Sequence, residues 1–154
     1  MSRDAWLAVH VLGVVIFIGN IVVTAVWKVL ADRTRSPEVV AYAQRLVTIT
    51  DVAFTATGAA LIAISGPILA EDLGGVGGPA WITWGLGLFA ASGVIWVTAL
   101  IPIQVMQARM ARAFRNADTI PERYWRLARL WAIFGAIATV LPLANLYLMI
   151  FKPT

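Results

Sequence analysis

Four apolar runs, at about residues 5–27, 47–70, 81–103 and 130–151, constrain this chain more than any other feature. Each is long enough to cross a hydrocarbon core, which takes roughly 20 residues. Lipid offers the backbone no hydrogen-bond partners, so each run must satisfy its own N–H and C=O groups by coiling into an α-helix. A soluble fold of 154 residues is not an alternative. With 60% hydrophobic residues, against about 45–50% in soluble domains, it would leave too much apolar surface facing water. The expected fold is therefore all-α: a polytopic four-transmembrane-helix bundle forming one domain over residues 1–154. No internal repeat or second domain is visible. The first run is too long for the apolar core of a secretory signal peptide and reads as a retained span.

Charge orients the bundle. Ten of the twelve basic residues fall in two connections: Lys28, Arg33, Arg35 and Arg45 in the first, and Arg109, Arg112, Arg115, Arg123, Arg126 and Arg129 in the third. Only Arg3 and Lys152 lie elsewhere. The positive-inside rule then expects connections one and three in the cytoplasm, with both termini outside. The net charge of +4 follows from this asymmetry and gives no argument for nucleic acid. Arg109, Arg112, Arg115 and Arg123 repeat at helical spacing beside Arg126 and Arg129, a compact basic patch for anionic lipid headgroups or a partner protein.

The cytoplasmic connections read as helix extensions. Ser36 before Pro37 is an N-cap followed by proline at the first helical position, so the second helix should start there. Thr119 to Glu122 (TIPE) fits a capping box for the fourth. The third should run past Pro102 toward Phe114, with a kink at the proline. Glu71 to Trp81 (EDLGGVGGPAW) is a hairpin turn, lacking the Lys and Ser or Thr of a phosphate-cradling loop. Trp6, Trp27, Trp81, Trp84, Trp125 and Tyr147 fall at interface depth as anchors, and Trp96 lies deeper as a packing residue.

The first span carries polar residues. At 100° per residue His10, Gly13, Phe17, Asn20, Thr24 and Lys28 share an arc of roughly 80°. Asp51, Thr55, Gly58, Ile62 and Ser65 form a stripe on the second span, and Gly135, Ala138, Pro142 and Asn145 one on the fourth. Polar and small faces turn into a bundle, so these stripes should meet. By depth, His10 pairs with the level of Ser65 and Asn145. Asp51 pairs with that of Lys28, Arg126 and Arg129, where an ion-pair cluster is expected to hold the cytoplasmic end together. His10 is the sharpest site candidate, since a neutral imidazole there can bind haem iron or copper, relay a proton, or bond Asn145. The chain has no cysteine, which excludes disulfides and thiolate chemistry. No nucleophile–base–orienter arrangement is visible, so no residue is assigned a catalytic role.

HVLGVVIFIGN, WKVLADR, AQRLVTITD, IPERYWRLARLW and LPLANLYLMIFKP together resemble a bacterial family of small predicted integral membrane proteins, a domain-of-unknown-function family with four spans. That family is distantly similar to the HemJ-type protoporphyrinogen oxidases and the CopD-type copper-resistance proteins. The resemblance implies a bacterial cytoplasmic membrane. Through the HemJ type it implies haem b held by a membrane histidine, a role only His10 can match. Three functions are expected. The first is a haem-associated or redox-linked membrane protein, with His10 as iron ligand and Asn20 and Asn145 shaping the cavity. The second is a small-solute or proton transporter using the Asn20, Thr24 and Asp51 seam with Lys28. The third is a non-catalytic subunit or scaffold, self-associating or bound to a membrane partner through its small-residue faces and arginine patch.

Overall fold

The computed structural model describes residues 1–153. Four helices are long and apolar enough to span a bilayer: α1 (Arg3–Thr34), α2 (Pro37–Glu71), α3 (Ala80–Phe114) and α4 (Glu122–Phe151). Among the described residues there is no strand. Many large apolar side chains, Val15, Val26, Ile64, Val94 and Ile133 among them, are exposed on the outside of the bundle. That arrangement is stable where the surrounding solvent is lipid. This is an integral membrane protein with four spans.

Each helix outruns its apolar stretch toward the arginine-rich end. Ser36 accepts a hydrogen bond from the Val39 N–H and Pro37 occupies the first turn, so α2 begins as its sequence expects. At α4 the capping box does not form. The N-cap is Pro121, in extended conformation and without a side-chain cap. A residue before proline is held out of the helical region, so Ile120 cannot be helical and Thr119 lies beyond reach of the first turn.

Two π-helical turns interrupt the spans, Asp51–Ala56 in α2 and Trp96–Leu100 in α3. The second has a covalent cause nearby. Pro102 has no N–H to give the Thr98 carbonyl and its ring crowds that carbonyl, so the turn before it widens. The Thr98 hydroxyl donates to the Val94 carbonyl at 2.7 Å within the same stretch.

The helices pack as two pairs, α1 on α2 and α3 on α4. The pairs join over the arginine-rich half, where residues 37–50 of α2 meet residues 101–114 of α3 and α1 meets α4. Both apolar cores sit on this side. One gathers Val47, Leu100, Ile103, Leu127, Trp131 and Ala138, and the other Val40, Ala41, Ala111, Phe114 and Tyr124. Toward the termini the pairs part. Within a pair the approach is close: Gly13 and Gly58 bring the α1 and α2 backbones together, and the Ser92 hydroxyl donates to the Ala138 carbonyl at 2.8 Å between α3 and α4. Gly135 has open space where a side chain would be. The fourth-span stripe therefore does not make its close approach there. It makes it at Ala138, against Ser92, and at Asn145, against Gly85.

Candidate functional site

Where the two pairs part, a cleft of about 630 Å³ opens between them. His10 of α1 lines it. Its Nδ1 lies 2.9 Å from the Ser65 hydroxyl of α2. Ser65 has one hydroxyl hydrogen and gives it to the carbonyl of Leu61 one turn back. With that hydrogen on Leu61 it accepts from His10, and the hydrogen-bond network so assigns the proton to Nδ1. Nε2 is left with a lone pair and, among the described residues, no hydrogen-bond partner. This is the tautomer and tethering by which proteins orient a histidine for metal ligation.

Asn145 lines the same cleft from α4. It does not bond His10. Its Oδ1 is buried without a partner, and a Cβ at Gly85 would fall 2.5 Å from it. The glycine is what lets the amide lie flat against α3. Two cations belong to the cleft as well. Arg3 pairs with Asp72 at 3.2 Å, both more than half exposed, and the Lys152 ammonium lies 5.6 Å above the Trp81 ring. In the sequence they read only as strays from the charge asymmetry. The available signal was their spacing, each seven residues beyond His10 or Asn145 toward the same end of the bundle.

Asn20 sits elsewhere. Ten residues of helix carry it about 15 Å from His10, and it lines neither this cleft nor the deeper cavity beside Asp51. Its amide donates to the Thr55 hydroxyl at 2.8 Å and the Thr50 carbonyl at 3.3 Å, while its oxygen accepts from Thr24 at 3.2 Å. Every strong group of Asn20 is satisfied between α1 and α2, so it joins helices and does not shape the His10 cleft. The bonding continues: the Thr55 hydroxyl donates to Asp51 at 2.8 Å.

Among the described residues Asp51 forms no ion pair, so the expected cluster with Lys28, Arg126 and Arg129 does not assemble around it. Its carboxylate accepts from Thr55, from the Gln104 amide at 2.7 Å and from the Trp96 indole at 3.4 Å, three neutral donors. Lys28 turns instead to Asp32 one turn along its own helix, at 2.8 Å, and donates to the Tyr124 hydroxyl at 2.9 Å. The ammonium also lies 5.1 Å from the Tyr124 ring centre and 5.8 Å from that of Trp131. Tyr124 in turn donates to the Gln44 amide oxygen at 3.4 Å. The Lys28–Asp32 spacing of four residues was the signal for this pair. Arg129 reaches only Glu122, at 3.5 Å with both side chains about 70% exposed (71% and 72%), and Arg126 forms no ion pair among the described residues. Arg109, Arg112, Arg115, Arg123 and Arg126 lie at this end of α3 and α4, and all five are exposed.

The deeper cavity, of about 500 Å³, carries Asp51, Thr55, Gln104, Trp96 and Trp131 on its wall. Phe17 and Phe89 line both spaces. Their rings meet edge to face, 6.1 Å between centres, and form the partition. Among the described residues no three His, Cys, Asp or Glu side chains gather around a point, so any metal at His10 would have at most two protein ligands of these types.

The model of a family described as "Predicted integral membrane protein (DUF2269)" matches residues 5–153. No curated protein and no solved structure matches the chain.

Proposed function

We propose, from the premise that this chain belongs to the DUF2269 family of predicted integral membrane proteins, that the cleft around His10 holds haem b and that the protein is haem-associated or redox-linked. The observation that carries this reading is the His10–Ser65–Leu61 relay. It presents a neutral imidazole with its Nε2 lone pair free, in a cleft large enough for a cofactor. The donor set fits the group: one imidazole for the iron, apolar walls for the macrocycle, and Lys152 for a carboxylate, with Arg3 beside it already paired with Asp72. Haem supplies one-electron redox chemistry when bound. The chain's own part is to orient the imidazole and to place the Lys152 charge at the cleft.

The arginine asymmetry supports a bacterial cytoplasmic membrane with the arginine-rich end inside, against anionic headgroups, and the His10 cleft opening outward. No residue is assigned to catalysis. The test is the absorption spectrum of protein purified after expression with a haem precursor. Wild type should show a Soret band, and His10→Ala should lose it. Ser65→Ala keeps the ligand but frees the ring, and should lower haem affinity by about tenfold or more. A wild-type protein without the band, or a His10→Ala variant that retains it, would overturn the reading.

A further inference from the structure

The deeper cavity is a different site with different chemistry. Among the described residues Asp51 is its only charged lining residue, and all three donors that hold the carboxylate are neutral. An ionised carboxylate only accepts hydrogen bonds, so this shell complements the anion without cancelling its charge. No Lys or Arg nitrogen among the described residues lies within salt-bridge distance of it. Lys28 stands behind Trp131 but is matched by Asp32. The neighbourhood therefore offers this carboxylate, inside a membrane span, no compensating cation among the described residues. Isolated charge in that setting is costly and marks a functional group.

The walls say what could relieve it. Phe89, Trp96 and Trp131 face the same space as Asp51, and aromatic faces attract cations, most strongly where water is absent. Val22, Val26 and Val140 line it too, and they are exposed on the outside of the bundle, so the cavity communicates with the bilayer. We propose that this cavity binds a lipophilic organic monocation arriving from the membrane, its charge against Asp51 and its apolar body against Phe89, Trp96 and Trp131. An aminophospholipid is a poorer match, because its phosphate would enter beside the ammonium and the lining offers it no cation.

The probe is radiolabelled tetraphenylphosphonium, measured by equilibrium dialysis against purified protein in a neutral maltoside detergent. Wild type should bind it saturably. Unlabelled tetraphenylphosphonium should displace the label, and neutral triphenylphosphine oxide of similar bulk should not. Asp51→Asn keeps a polar group in the same shell and should weaken binding by about tenfold or more, while Trp96→Phe should weaken it several-fold. His10→Ala should leave it unchanged, which separates this site from the haem reading. Equal displacement by the neutral compound, or undiminished binding to Asp51→Asn, overturns the proposal. If Asp51→Asn does not fold, displacement from wild type alone decides.

Discussion

Gly58→Leu is expected to prevent α1 and α2 from closing on each other, with loss of most folded protein from detergent extracts. A Cβ at Gly58 would lie 2.8 Å from the Phe17 backbone nitrogen and 2.9 Å from both the Gly13 carbonyl oxygen and the Phe17 Cβ. A Cβ at Gly13 would lie 2.9 Å from Leu61 Cβ. These obstacles are backbone and the roots of side chains, which cannot swing aside, so only separation of the helices relieves them. In lipid no hydrophobic force pushes helices together, and close packing is itself the main attraction. Separation therefore forfeits the contacts that hold the pair. Overpacking a core by small groups costs about 1–3 kcal/mol, a range suited to Gly58→Ala, and leucine adds three more carbons. The measurement is the thermal unfolding midpoint in detergent, with Gly19→Leu as control, since nothing lies within 4 Å of a Cβ there. A Gly58→Leu protein that melts with the control would mean that the crossing tolerates a wider spacing.

That crossing was half legible from composition and period. The stripes on the first two spans predicted that His10, Gly13, Phe17, Asn20, Thr24 and Lys28 face inward opposite Asp51, Thr55, Gly58, Ile62 and Ser65; Gly13, Phe17, Thr24, Lys28, Thr55, Gly58 and Ser65 are buried and the other four half-buried. A helix in lipid has few places to put a hydroxyl or an amide, so period and polarity suffice to choose the inner face. Partner choice was a different matter. Several charges share the depth of Lys28, and depth alone does not distinguish a carboxylate on α2 from one four residues along α1. The shorter, preorganised partner took the ammonium. The π-helical turn starting at Asp51 compounds this, because a widened turn rotates the rest of the span relative to an ideal helix. The capping box failed on a single competing residue, Pro121. The two cavities were not legible at all. They arise where the helix pairs fail to touch, and a periodic pattern records which face looks inward without recording how far away the next helix is. The Nδ1 proton of His10 likewise depended on where the one hydrogen of Ser65 goes.

Asp32→Ala is expected to lower stability by about 3–5 kcal/mol, the cost of stranding one member of a buried ion pair. The Lys28 side chain is 1% exposed and Asp32 is 19% exposed, so water reaches the acid but hardly the amine. Without the carboxylate, the ammonium keeps the Tyr124 hydroxyl as its remaining hydrogen-bond partner, at 2.9 Å, and two aromatic rings. Tyr124 is itself fully buried and bonded to Gln44, so the loss should spread to where the helix pairs join. Lys28→Met runs the other way: it leaves Asp32 partly wetted and should cost less. Combining Lys28→Met with Asp32→Ala should recover much of the loss, since a buried pair replaced by apolar groups is often close to neutral. The pair's main effect would then be to select one register between α1 and α4. Glu122→Ala, which removes the exposed partner of Arg129, should change stability by no more than about 0.5 kcal/mol. Thermal midpoints of these variants in one detergent decide the matter. A double variant no better than Asp32→Ala alone would show that Asp32 acts through something other than the charge of Lys28.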